Sequence, residues 1–277
     1  MTANRYIVVI LTTLVLLSAV APSAPPKADP LLEQGYSDMY NLQFEAAHDV
    51  FRQFEQQHPG DPMGPVSDAA AYLFLAFDRL KILRSDFFTD DANFTESNKL
   101  KLDPRVKQHF VADLDRSKQL ADAALSKSPS DINALLASVL RIALQADFEA
   151  LIEKRNGQAL NDIKEATQEA RKLLAVCPEC HDANLAIGVE NYLLSQKSAP
   201  VRWLLRLTGA ETDKTVGIEK LRAVAQKGVY LKPYARVLLA IAYLRDGKKP
   251  EARQLLTELA RAFPQNDLFK SELKKLS

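Results

Sequence analysis

After residue 30 the chain is written almost throughout in one period. Apolar residues recur at intervals of three and four within segments rich in Ala, Leu, Glu, Lys, Gln and Arg, and prolines stand where segments change. No run of alternating β-branched residues breaks this pattern, which predicts an all-α chain. The N-terminus obeys a different rule. Arg5 precedes an apolar run from Tyr6 to Val20, and SAVAPSAPPKADP follows. A basic start, a short apolar stretch and a zone of small residues describe an export signal, with Ala21 and Ser23 preceding a cut at Ala24. The run is short for a spanning helix; left uncut, it would act as an anchor. The expected organisation is a signal peptide or N-terminal anchor over 1–23, a Pro-rich linker over 24–30 and one helical domain over 31–277. Such a chain is expected to be periplasmic or secreted, where disulfides persist.

The helical segments fall into pairs with a recurring set of residues. In 28–61, Leu31 and Gly35 lie on a leading helix, Ala47 and Phe51 on a trailing one, and Pro59 closes the unit. Near the C-terminus Leu239, Ala240 and Tyr243 are followed by Gly247, Ala252, Leu256 and Pro264. Gly35 to Ala47 and Ala240 to Ala252 are both 12 residues. Between them lie stretched versions. Ser117, Ala121 and Pro129 close a unit whose leading helix is expected over Val66–Arg84. Ala166, Ala170 and Pro178 close one led by the segment from Asp131 to about Glu153. Ile187, Gly188 and Asn191 begin a unit whose trailing helix carries Gly217 and Leu221, a gap of 29 residues in place of 12.

This arrangement resembles the tetratricopeptide repeat family, whose unit is two antiparallel helices in about 34 residues with small side chains where they cross. The resemblance implies an all-α, right-handed solenoid of about five helical hairpins, several with expanded helices and one with an inserted short helix. It also implies a concave groove lined by leading helices that binds a protein or peptide. The Lys and Asn set that would capture a peptide C-terminus is not found. Over about 35 residues, IGVENYLLSQKSAPVRWLLRLTGAETDKTVGIEKL is also similar to part of the tetratricopeptide repeat protein 39 family.

Charge adds one asymmetry. From Lys197 onward the chain carries 17 Lys/Arg against 8 Asp/Glu, whereas the first 196 residues carry 19 against 27. A basic stripe interleaved with stacking aromatics is absent, so nucleic acid is not an expected partner. The imbalance suits an acidic partner, an anionic surface or self-association, and equally two solvated faces that differ in sign.

Three stretches could carry chemistry. Cys177-Pro178-Glu179-Cys180-His181 spells the attachment motif of c-type haem, with His181 as axial ligand. The same residues could form a thiol redox pair or contribute up to three ligands to a metal. Read in register with the repeats, Pro178 is the terminating proline of a unit. The stretch then matches HPGDP, SPSDI and FPQND at the other unit boundaries, with His181 or Asp182 positioned to cap the next helix. On that reading Cys177 and Cys180 form a small disulfide or two thiols in a turn, and no cofactor is expected. The second stretch is the insertion 198–209, where Arg202, Trp203 and Arg206 lie on a short helix between Pro200 and Gly209. It serves either as a partner or weak membrane contact or as a plug covering the stretched repeat. The third is the acidic loop 85–98, where Phe87, Phe88 and Phe94 pin the loop and Asn93-Phe94-Thr95 forms a sequon. Its Asp91, Asn93 and Thr95 alternate as in a calcium loop without the required glycine. Nucleophile elbows, zinc-protease helices and phosphate loops are absent, so the chain reads as a non-enzymatic scaffold.

Overall fold

The computed structural model describes residues 27–89, 100–197, 201 and 209–276. Within them the chain forms five helical hairpins and a closing helix. They are α1 (Pro30–Tyr40) with α2 (Phe44–Gln57), and α3 (Met63–Arg79) with α5 (Pro104–Lys127) after the short α4 (Ser85–Thr89). Next come α6 (Ile132–Leu151) with α7 (Asn156–Val176), α8 (Asn184–Ser195) with α9 (Lys214–Lys227), and α10 (Lys232–Arg245) with α11 (Lys249–Ala262). Helix α12 (Asp267–Lys275) closes the stack. The five leading helices are those placed by the periodicity, with one shorter than expected. The segment Val66–Arg84 is helical only to Arg79, because Lys81 adopts φ 61° and Ile82 N–H turns back to Phe77 O at 2.8 Å.

That reversal recurs. Leu42, Lys81, Lys154 and Gly247 follow the ends of α1, α3, α6 and α10 with φ between 57° and 72°. Only Gly247 suits this left-handed conformation by its chemistry.

Small residues stand where helices cross. A β-carbon on Gly35 would meet the Phe51 ring at 2.3 Å, so α1 lies directly on α2. Gly188 and Gly217 do the same for α8 and α9, where backbone approaches backbone. The expanded helices have their own purpose. Phe77, Phe110, Phe148, Leu151 and Ile152 form a second core between α3, α5 and α6, beside the main core that runs the length of the stack.

The stack does not leave its inner face open. Tyr36 and Tyr40 on α1 meet residues two hundred positions away. Tyr36 stacks on Tyr230 at 5.1 Å, Tyr40 packs on Phe263 at 5.4 Å, and Asn266 Nδ2 donates to Tyr40 O at 2.8 Å. Phe74 on α3 is edge-on to both Tyr40 and Tyr234. The open concave groove expected from the repeats is therefore largely filled by the chain's own aromatic side chains.

Candidate functional site

Four of the five turns that follow a hairpin share a construction. The residues His58, Ser128, Cys177 and Phe263 each donate their N–H to the last turn of the helix before them. Each is followed by proline, and each carbonyl accepts from the amide three residues on, that of Asp61, Asp131, Cys180 or Asn266, at 3.0–3.1 Å. Three of these last residues then offer a side-chain oxygen to an amide in the first turn of the next helix, Asp131 and Asn266 as its N-cap and Asp61 from one residue before the N-cap Pro62. Asp61 accepts from Met63 N, Asp131 from Ala134 N and Asn266 from Leu268 N. Cys180 has no such oxygen. In its place the Cys177 and Cys180 sulfurs are bonded to each other, at 2.08 Å, across the same two positions.

The helix after Cys180 is correspondingly different. It begins with a 3-10 turn, His181–Ala183, and neither that turn nor α8 carries a side-chain cap. The expectation that His181 or Asp182 caps this helix is corrected here. Asp182 is buried and points away, toward the turn between α9 and α10. That turn, Gly228–Leu231, has no proline and no cap of its own. The Asp182 carboxylate accepts from Val229 N at 3.0 Å, Tyr230 N at 3.0 Å and Leu231 N at 3.3 Å. Burial pushes this carboxyl above the ordinary range, and the amides and the nearby His181 ring pull it back. The 229–231 turn in turn presents Tyr230, whose carbonyl accepts from Tyr40 Oη at 3.1 Å and whose hydroxyl accepts from Asp29 N at 3.2 Å. One line of contacts thus runs from the disulfide turn through Asp182 and Tyr230 to α1, and so closes the inner face.

The remaining sequence candidates divide. His181 Nε2 lies 3.1 Å from Glu179 Oε2, at the surface of the turn. Bonded to each other, the two sulfurs are not free to form thioether links to haem. Among the described residues no group of three or more His, Cys, Asp or Glu is placed to hold a metal. Arg202, Trp203 and Arg206 lie outside the described residues, which there comprise only Val201, 43% exposed, and Gly209. The N-terminal segment, Asn93 and Phe94 also lie outside them; Phe87 and Phe88 pack half-buried on the second core. Gly35, Gly188, Ala47, Phe51, Ala166, Tyr243 and Ala252 are buried, and Pro59, Pro178 and Pro264 sit in the turns.

Two polar groups escaped the sequence reading. His48 on α2 is 3% exposed, with Nδ1 against Asp68 Oδ1 and its ring on Tyr72. Asp113 on α5 sits nearby, pushed up to about 8 by burial and by Asp68 and Glu55. These groups join the first two hairpins. The second is Asp147 on α6, which accepts from Tyr234 Oη at 3.2 Å across the inner face. Burial raises it to about 7. Between an ordinary carboxylate value near 4 and about 7, the folded chain holds a proton that the unfolded chain has lost. Asp147 therefore makes stability fall as pH rises through that window. Asp147→Asn is expected to remove the slope, with melting temperatures of the two chains diverging in the variant's favour from pH 4 to 7 and running parallel above.

Where α1, α3, α10 and α12 meet, the inner face keeps a shallow apolar cleft, open to solvent. Leu42, Leu83, Val237, Ile241, Leu244 and Leu268 line it half-exposed, over a floor of Tyr40, Phe74 and Phe269. Among the described residues no helix is long and apolar enough to cross a membrane.

Residues 211–267, which span α9, α10 and α11, match the family model described as tetratricopeptide repeat. No curated protein matches the chain. Among solved structures it is similar to a thermophilic tetratricopeptide-repeat protein from Thermus thermophilus. The two are 13% identical, with 89% of this chain and 96% of that chain covered and a TM-score of 0.46.

Proposed function

We propose that this chain, which carries tetratricopeptide repeats at its C-terminal end, is an exported, non-catalytic scaffold that binds a segment of another protein. The observation that carries the reading is the apolar cleft at the seam of a stack otherwise closed on itself. Its walls include α10 and α12, within the C-terminal part of the chain, from Lys197 onward, that carries 17 Lys/Arg against 8 Asp/Glu. The segment that fits offers one aliphatic or aromatic side chain to the cleft, flanked by acidic residues. Such an anchor supplies most of the affinity of a small interface, and the flanking charges supply its encounter rate. Export is supported by the basic start, apolar run and small residues of 1–23. The disulfide suits the oxidising compartments to which such signals lead. Contact with a membrane is proposed only through the N-terminal segment and, weakly, through 200–209.

A photo-cross-linking residue at Ile241, in the cleft, is expected to capture a discrete partner in the envelope fraction. The same residue at Val111, 39% exposed on the far side of α5, is not. Leu244→Asp in the Ile241 chain is expected to cut the adduct at least tenfold. Equal adducts from both positions, or one indifferent to Leu244→Asp, remove the cleft as the binding site.

A further inference from the structure

Four of the five turns that follow a hairpin use one geometry with two kinds of closure. In three, a side-chain oxygen at the fourth position accepts from an amide in the first turn of the next helix. In the other, a covalent bond between first and fourth positions replaces the cap. The side-chain caps persist in any redox environment; the bond does not. Two places beyond Cys180 lies Asp182, whose carboxylate holds the 229–231 turn and through it the Tyr230–Tyr36 seam. We propose that Cys177–Cys180 is a redox-operated latch: reduction by a dithiol frees the turn, releases Asp182 from the 229–231 amides and opens the inner face beside the cleft.

The exchange is chemically direct. Both cysteines are buried, but Cys180, 8% exposed, is less so than Cys177, so the proposed attack by the thiolate of the dithiol is on the Cys180 sulfur. The electron pair of the disulfide leaves on the Cys177 sulfur, which takes a proton. The second thiol of the reductant then displaces Cys180 from the mixed disulfide as a thiol. Two electrons and two protons pass to the protein, and the reductant ends as a disulfide. Reduced Cys180 has no oxygen to cap α8, so the turn has no fallback of the kind Asp61 and Asp131 provide. The bond closes a very short loop, so its removal lowers global stability little. The effect is local, along the contacts that start at Asp182.

The latch concerns access to the binding face of the proposed scaffold and rests on that reading for its purpose. Its test uses no partner, so either can fail without the other. Amide hydrogen exchange is measured on the full chain, oxidised and after treatment with dithiothreitol and alkylation, with reduction verified by mass. Exchange at Val229, Tyr230 and Leu231 is expected to speed at least tenfold on reduction, while Phe110 in the second core is unchanged. Cys177→Ser with Cys180→Ser is expected to exchange like the reduced chain. Cys177→Ser with Cys180→Asp, which writes the cap of the other turns into this one, is expected to restore slow exchange in dithiothreitol. The proposal falls if complete reduction leaves 229–231 unchanged, or if acceleration is equal throughout the chain. It falls also if the Cys180→Asp chain exchanges as fast as the Cys180→Ser chain.

Discussion

Replacing Asp182 with alanine is expected to destabilise the fold by about 3 kcal/mol or more, the largest effect of any single polar side chain considered. The carboxylate accepts from three backbone amides, and nothing else in the 229–231 turn caps them. Hydrogen bonds to a charged group are worth about 1.5–3 kcal/mol each, and a buried donor left alone costs about 1–3 kcal/mol. These contributions are not additive, and Val229 is partly open to water, which holds the total near the lower end. For a domain of this size the loss corresponds to a drop in melting temperature of roughly 10 °C. Asp182→Asn keeps a single neutral acceptor and is expected to recover about half. Thermal unfolding followed by circular dichroism distinguishes the three chains. An alanine variant that melts within about 2 °C of the parent shows that the amides find water without cost.

The second large effect is steric. Gly217→Ala is expected to cost about 2 kcal/mol, although alanine is the better helix former by about 1 kcal/mol. The added β-carbon would lie 2.7 Å from Tyr192 N and 3.0 Å from Gly188 O. Both are backbone atoms of α8, which cannot rotate aside as a side chain would. Gly157→Ala, where nothing lies within 4 Å, is the control. It is expected to raise stability by up to about 1 kcal/mol through propensity alone. Opposite signs for the two substitutions in denaturant unfolding establish close backbone packing at the α8–α9 crossing. A Gly217→Ala chain as stable as the Gly157→Ala chain excludes it.

The repeat arrangement was legible because it is local. Gly35 with Ala47 and Phe51, and Ala240 with Ala252, mark a helix crossing by residue size at a set spacing, and size is written in the letters. The proline-led turns were legible for the same reason. The helix ends at Leu42, Lys81 and Lys154 were not, since a left-handed residue without glycine leaves no compositional trace. The expected export signal, the Trp203 segment and the sequon lie outside the described residues.

The CPECH stretch shows where local reading stops. Its letters suit haem, a redox pair or a turn, and register with the other boundaries favoured the turn. They could not show that Cys180 stands where Asp61, Asp131 and Asn266 cap, because that equivalence lies in hydrogen bonds rather than residue type. Nor could they show that Asp182, freed from capping its own helix, serves a turn 47 residues away. By itself, then, the sequence determined the helices, their pairing and the proline-led turns between them, all set by periodicity and side-chain size over a few turns. Only the tertiary structure decided that the stack closes. Tyr36 and Tyr40 meet Tyr230 and Phe263 across about two hundred residues, and such a meeting depends on the summed curvature of every hairpin between them.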